Sequence, residues 1–201
     1  MRLQHCGLID DSDTPIDETA RRERATWFAT VVCRALPPSE MVILERAKSL
    51  CNVACFTIAL QCRRLKTSEP EDEIFVLHWY ADLRFLILTL RRLRRAAKLA
   101  ADVPSVSACI EVAIFRFDKS LPGLGKLRNV DEHIDDYVRG NPKNQHKEII
   151  RDELQRNSFD GSVFYWLGAE LDIDVALKAA EALFAAVVEA VKQVESENLN
   201  Y

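Results

Sequence analysis

Arg128, Asn129 and His133 stand in the stretch Arg128-Asn-Val-Asp-Glu-His133, and their types could do chemistry on a phosphodiester. Histidine titrates near neutrality, so His133 can accept the proton of an attacking hydroxyl or give one to a leaving oxygen. Arginine carries a planar fork of N–H donors, so Arg128 can hold phosphate oxygens and offset the charge that builds on them. Asn129 lies one helical turn before His133 and could orient it or hold phosphate. With the 2'-hydroxyl of an adjoining ribose as nucleophile, such a set could open a phosphodiester without a metal, leaving a 2',3'-cyclic phosphate. Spacing adds a constraint. Five helical residues turn through roughly 500°, so Arg128 and His133 project about 140° apart. One straight helix does not focus both on one phosphate, whereas a two-fold dimer can.

Plainer roles compete for the same residues. Arg128 can pair with Glu132 at i+4, and His133 can sit at the edge of the apolar stripe Leu127, Val130 and Ile134. Asp131, Glu132, Asp135 and Asp136 put negative charge around the motif, which repels RNA. A basic stripe answers it. Arg84, Arg91, Arg95 and Lys98 fall at i, +7, +11 and +14, share one helix face and could track a phosphate backbone; Arg92 and Arg94 flank them. The ordinary reading of such a run is a solvated or salt-bridged face. A second pairing, Arg139 with His146, spans Gly140 and Pro142 and lacks the following Asn. Tyr165 and Trp166 could stack on bases or fill the core.

Arg128-Asn129-x3-His133 at a helix start resembles the Arg-x(4–6)-His signature of the HEPN superfamily, in which the residue after the Arg is often Asn. The resemblance covers about six residues in detail, within a helical architecture. It implies a small helical-bundle protein and a metal-independent endoribonuclease of toxin–antitoxin or defence systems. It also implies a composite cleft at a homodimer interface, with RNA as substrate and an antitoxin or nucleotidyltransferase as partner. Some relatives are silenced by nucleotide attachment to a tyrosine two residues after the His; here that position is Asp135, and Tyr137 stands at +4. The alternative is a catalytically silent helical dimer that binds RNA, nucleotides or proteins.

Other chemistries lack their motifs. Gly123 and Gly125 sit in Leu-Pro-Gly-Leu-Gly-Lys, which has neither the spacing nor the Ser or Thr of a phosphate loop. There is no Gly-x-Ser-x-Gly elbow and no His-Glu-x-x-His. Of the six cysteines, Cys51, Cys55 and Cys62 lie on one side of a helix without a Cys-x-x-Cys pair or a nearby His, so they read as core thiols and no metal or cofactor is expected.

The elements that must position these residues are helices. Within 201 residues, only 6 Gly and 7 Pro argue against a many-turned sandwich or barrel. The balance of 27 basic and 31 acidic residues, net -4, argues against a broadly basic nucleic-acid binder. No run is apolar enough to span a membrane, and the polar, acidic start lacks a signal-peptide core, so a cytoplasmic protein is expected. Residues 1–16 read as a flexible arm and 17–201 as one domain. Asp17 caps a helix to about Leu36, stopped by Pro37-Pro38, and Ser39 caps a long one to about Lys66. A third runs from about Glu71 to Asp102; its apolar middle, Phe85 to Leu90, marks it as the central helix. A fourth runs from Ser105 or Ser107 to about Lys119, and a fifth from Lys126 to Val138, ended by Gly140 and Pro142. Weak alternation over 150–167 around Asn157-Ser-Phe-Asp-Gly161 reads as a small β-hairpin, and Asp174 caps a last helix to about Glu195. The expected fold is mainly all-α: a HEPN-like bundle of about six helices with a hairpin before the last.

Overall fold

The structure is a computed structural model that describes residues 38–67, 78–140, 146 and 148–199, with Thr19 and Arg22. Apart from Thr19 and Arg22, the helix expected over 17–36 and the arm before it lie outside this set. The described chain is mainly helical, with a small antiparallel sheet before the last helix, as expected.

Helix α1 spans Glu40–Lys66, as its sequence signals predict. Ser39 Oγ accepts the Val42 N–H at 3.4 Å, satisfying one of the donors a helix start leaves open. Its inner row of Leu44, Ala47, Cys51, Ala54 and Ile58 is buried at helical spacing. Helix α2, His78–Ala101, runs antiparallel to α1: Arg64 Nε donates to Asp82 Oδ2 at 3.2 Å near one end, and Cys51 Sγ reaches the Leu93 carbonyl further along. Leu83, Leu86, Leu90 and Leu93 of α2 have no exposed surface, which makes it the central helix. Helix α3, Ser107–Ser120, folds back along α2 after Pro104 and buries Ile110, Ile114 and Phe117.

Helix α4, Leu124–Glu132, packs on α2 through Leu127 and Val130. Here the structure departs from the sequence reading. The helix expected to run unbroken to Val138 breaks at His133, whose φ of -118° and ψ of 25° are not helical. Helix α5, Ile134–Val138, follows the break. Leu127 and Val130 of the expected stripe are buried; past the break Tyr137 is buried and Val138 exposed. Gly140, at φ 71°, ends α5 as expected.

The hairpin is a three-stranded sheet. Ile150 to Arg156 does not alternate as a strand; Arg151–Gln155 is a 3₁₀ turn. Strands β1 (Asn157–Phe159), β2 (Val163–Trp166) and β3 (Ala169–Asp172) follow in meander order. Phe159 pairs with Phe164, and Trp166 with Ala169. The first turn is held by Asp160 Oδ1, which accepts the N–H groups of Ser162 and Val163 at 2.8 and 2.7 Å. Trp79 of α2 stacks on Phe159 at 5.9 Å, tying sheet to bundle. Trp166 is buried and its Nε1 donates to the Leu154 carbonyl at 3.1 Å, so of the two aromatic candidates only Tyr165 keeps substantial exposure.

Helix α6, Ile173–Leu199, is capped by Asp172, not Asp174: Asp172 Oδ1 accepts from the Asp174 and Val175 N–H groups at 2.8 and 3.0 Å. Small residues at Ala176 and Ala180 let α6 approach α1 closely. Cys55 Sγ donates to the Ala180 carbonyl at 3.4 Å and Cys62 Sγ to the Ile173 carbonyl at 3.5 Å. Cys51, Cys55 and Cys62 are core thiols, as expected. Burial pushes the thiols of Cys51 and Cys62 up from 9.0 to about 12. The raised native values give a signed prediction. Below pH 9 both states hold these protons; between pH 9 and 12 the unfolded chain releases them and the native chain does not, so stability falls as pH rises through that window. Urea titrations of wild type beside Cys51→Ala/Cys62→Ala at pH 8 and pH 10.5 check it: the excess alkaline loss should vanish in the double variant.

Gly123, at the start of α4, faces β3 so closely that a Cβ there would sit 2.7 Å from the Ala169 Cβ. Gly123→Ala should therefore cost about 1–2 kcal/mol by overpacking, and Ala169→Gly in the same chain should return part of it. Thermal unfolding of the two single variants and the double variant reads this directly.

Candidate phosphate-binding cleft

Arg128 projects from α4 toward α2. With Arg91, Arg94, Arg95 and Lys98 it lines a concavity of about 320 Å³ between the two helices, completed by Leu88, Arg92 and Glu132. The eight residues from Arg91 to Lys98 place five cations along about two turns of α2, and α4 sets Arg128 opposite them. Arg94 grips Asp118 of α3 with both arms, Nε to Oδ1 at 2.6 Å and Nη2 to Oδ2 at 2.7 Å. This bond, then the carboxylate's charge, holds its guanidinium above the ordinary value. Lys98 pairs with Glu111, and Arg128 with Glu132 one turn on, the i+4 pairing open to it from the sequence.

Arg91, Arg92 and Arg95 have no carboxylate partner among the described residues. Six cations and three partner carboxylates leave about three positive charges facing one concavity. Partial burial, then repulsion from Arg94 and Arg128, lowers the Arg91 guanidinium from its ordinary value. An anion entering the cleft relieves that repulsion.

Arg84 departs from the expected stripe. It turns to α4, where its Nε lies 2.7 Å from Asp131 Oδ1, and its guanidinium carbon sits 6.0 Å over the Tyr80 ring. The contact is an ion pair without an aligned hydrogen bond, since Asp131 Oδ1 accepts none. Burial, then the charge of Asp131, pushes the Tyr80 phenol up. The Asp131 side chain is 2% exposed, so it adds no negative charge to the surface around the motif: it ties α4 to α2. Arg91, Arg95 and Lys98 of the stripe share the cleft; Arg84 does not.

The other motif residues lie elsewhere. Asn129 Nδ2 donates to the Tyr137 hydroxyl at 3.4 Å, which ties α4 to α5 across the break. His133 is half-buried at the break, its N–H bonded to the Asn129 carbonyl at 3.2 Å, and it does not line the cleft. Tyr137 is 4% exposed and offers no surface for modification. Within one chain Arg128 thus lines the cleft and His133 does not. The second Arg–His pairing is not joined either: Arg139 pairs with Asp135 at 2.7 Å, and His146 with Glu148 at 3.4 Å.

Sequence reasoning left Arg94 and Arg92 as flanking residues and did not find Asp118 or Glu111, because pairings 24 and 13 residues apart depend on how α3 folds back. Among the described residues no group of three His, Cys, Asp or Glu is placed to hold a metal ion, and no helix is long and apolar enough to cross a membrane. In comparison with known proteins, the chain matches no family model, no curated protein and no solved structure.

Proposed function

We propose that the chain is a metal-independent endoribonuclease of the HEPN type, which grips the RNA backbone in the α2–α4 cleft and cleaves at a site completed by a second copy. The observation that carries this reading is the position of Arg128. The motif's phosphate-binding residue stands inside the basic concavity, where a strand held by Arg91, Arg95 and Lys98 passes it. His133 lies around the helix from Arg128, so the two meet on one phosphate only if a partner chain supplies one of them. In the cleavage step the 2'-oxygen attacks phosphorus as its proton leaves to a base. The 5'-oxygen departs with a proton from an acid, and a 2',3'-cyclic phosphate remains.

One arrangement favours a second reading, a silent RNA-binding dimer: Glu132 already neutralises Arg128, and His133 lacks a place in the cleft. Purified chain with a mixed RNA pool separates the two. Cleavage that survives EDTA, yields cyclic phosphate ends and disappears in His133→Ala supports the nuclease; binding without cleavage across many RNAs supports the silent module.

Both readings require the same salt response. Three unpaired cations on single-stranded RNA predict that log affinity falls against log salt with a slope of about -2. Arg95→Ala should flatten the slope by about 0.7 and weaken binding several-fold at low salt. Anisotropy titrations of a labelled oligonucleotide at four salt concentrations measure both.

A further inference from the structure

A second concavity, of about 620 Å³, runs between α1 and α2 next to the basic cleft. Its α1 wall is the row Arg46, Leu50, Val53 and Thr57, at i, +4, +7 and +11; its α2 wall is Thr89, Arg92, Ala96 and Leu99, at i, +3, +7 and +10. The two walls run antiparallel. Its larger α1 side chains are open to solvent: Val53 is 64% exposed and Leu50 40%, and Phe85, 58% exposed, continues the α2 row by one turn. The hydroxyls of Thr57 and Thr89 donate back to the Val53 and Phe85 carbonyls at 2.9 and 2.7 Å, so neither hydroxyl donor is left open to the groove.

We propose that this groove docks an amphipathic, acidic helix of a protein partner, and that the docked helix and RNA exclude each other. The competition half rests on the reading of the basic cleft given above. Three features select the occupant. Both walls are helices with internally satisfied backbones, so no strand edge is on offer, and a self-bonded helix presenting apolar anchors at i, i+3, i+4 and i+7 is the element that fits. Arg46, Arg92 and Arg95 line the groove without a carboxylate partner among the described residues, which selects acidic flanks. Arg92 and Arg95 line both concavities, so glutamates that pair with them remove two of the three free cations from the cleft. A concave channel also suits a rod better than a flat lipid surface.

The probe is a labelled synthetic helix of about 18 residues, roughly 27 Å long, with Leu on one stripe and Glu flanking it, beside a counterpart with Lys in place of Glu. It is titrated into the full chain and competed against a labelled oligonucleotide. The Glu helix should bind about tenfold or more tightly than the Lys helix and should displace the oligonucleotide. Val53→Glu, at an exposed position whose fold is checked by circular dichroism, should weaken helix binding at least about tenfold and leave oligonucleotide binding unchanged. Arg95→Glu should weaken both. Equal binding of the two helices, no binding by either, or indifference to Val53→Glu overturns the docking site. So does dissociation of a dimer by Val53→Glu, which assigns the groove to a second copy, or Val53-dependent binding to phosphatidylserine vesicles, which assigns it to a membrane. Val53-dependent helix binding without displacement refutes the competition. Helix binding by a chain that binds no oligonucleotide leaves the docking site standing and removes the RNA reading instead.

Discussion

Replacing His133 with Ala should lower RNA cleavage by roughly 10²–10⁴, the usual worth of one positioned proton transfer, and leave the fold and RNA binding intact. The fold is spared because His133 joins α4 to α5 through its backbone: its N–H meets the Asn129 carbonyl and its carbonyl accepts from Asp136. Binding is spared because the imidazole is outside the cleft. Arg128→Ala should cost a similar factor in rate and also weaken binding, since Arg128 lines the cleft. Arg128→Lys should recover binding more than rate, because a point charge attracts phosphate but lacks the two-armed geometry. Asn129→Ala should act mildly, through the loss of its bond to Tyr137. Single-turnover assays beside anisotropy titrations separate the two effects. His133→Ala cleaving at the wild-type rate would remove the histidine from the chemistry.

The second large effect is on stability. Arg84→Ala should destabilise the chain by about 2–4 kcal/mol, because it strips the partner from a carboxylate whose side chain is nearly enclosed. The loss starts below the usual ~3–5 kcal/mol because Arg84 is itself half exposed, so water can enter where its guanidinium lay. Replacing both residues, Arg84→Met with Asp131→Leu, should restore most of the loss, since no buried charge then stands alone. Asp131→Asn should lower the unfolding midpoint without raising RNA affinity; an affinity gain would return Asp131 to the surface. Urea unfolding of the double-mutant cycle measures the coupling.

What the sequence could and could not convey follows from range. Helix α1 was legible to the residue because its signals are local: Ser39 caps it, and its buried row repeats at helical spacing. The break at His133 was not legible, because no proline or glycine marks it. Strand β3 was hidden by its turn. Leu167 and Gly168 both adopt positive φ, 57° and 70°, where Asn-Gly is the usual signature, and a leucine there carries no turn signal. The basic stripe was legible as a helix face, but helical arithmetic does not show that the Arg84 end meets a buried aspartate on α4 while the Arg91 end opens to solvent. Arg128 was legible as a candidate ligand for phosphate; that it shares a cleft with Arg91, Arg95 and Lys98 was not, because they stand some 30 residues earlier and the pairing depends on how α4 packs across α2.

The central claim is that Arg128 and His133 act on one phosphate from different chains, and subunit complementation tests it most directly. Arg128→Ala and His133→Ala, each inactive alone, are mixed under conditions that exchange subunits. In a two-fold dimer, half the molecules are then hybrids, and each hybrid has one site with both residues intact. The mixture should recover about a quarter of the wild-type cleavage rate. Recovery near that value, dependent on exchange, is the predicted result. A mixture as inactive as its components, with hybrid dimers demonstrated by mass spectrometry, would contradict the account.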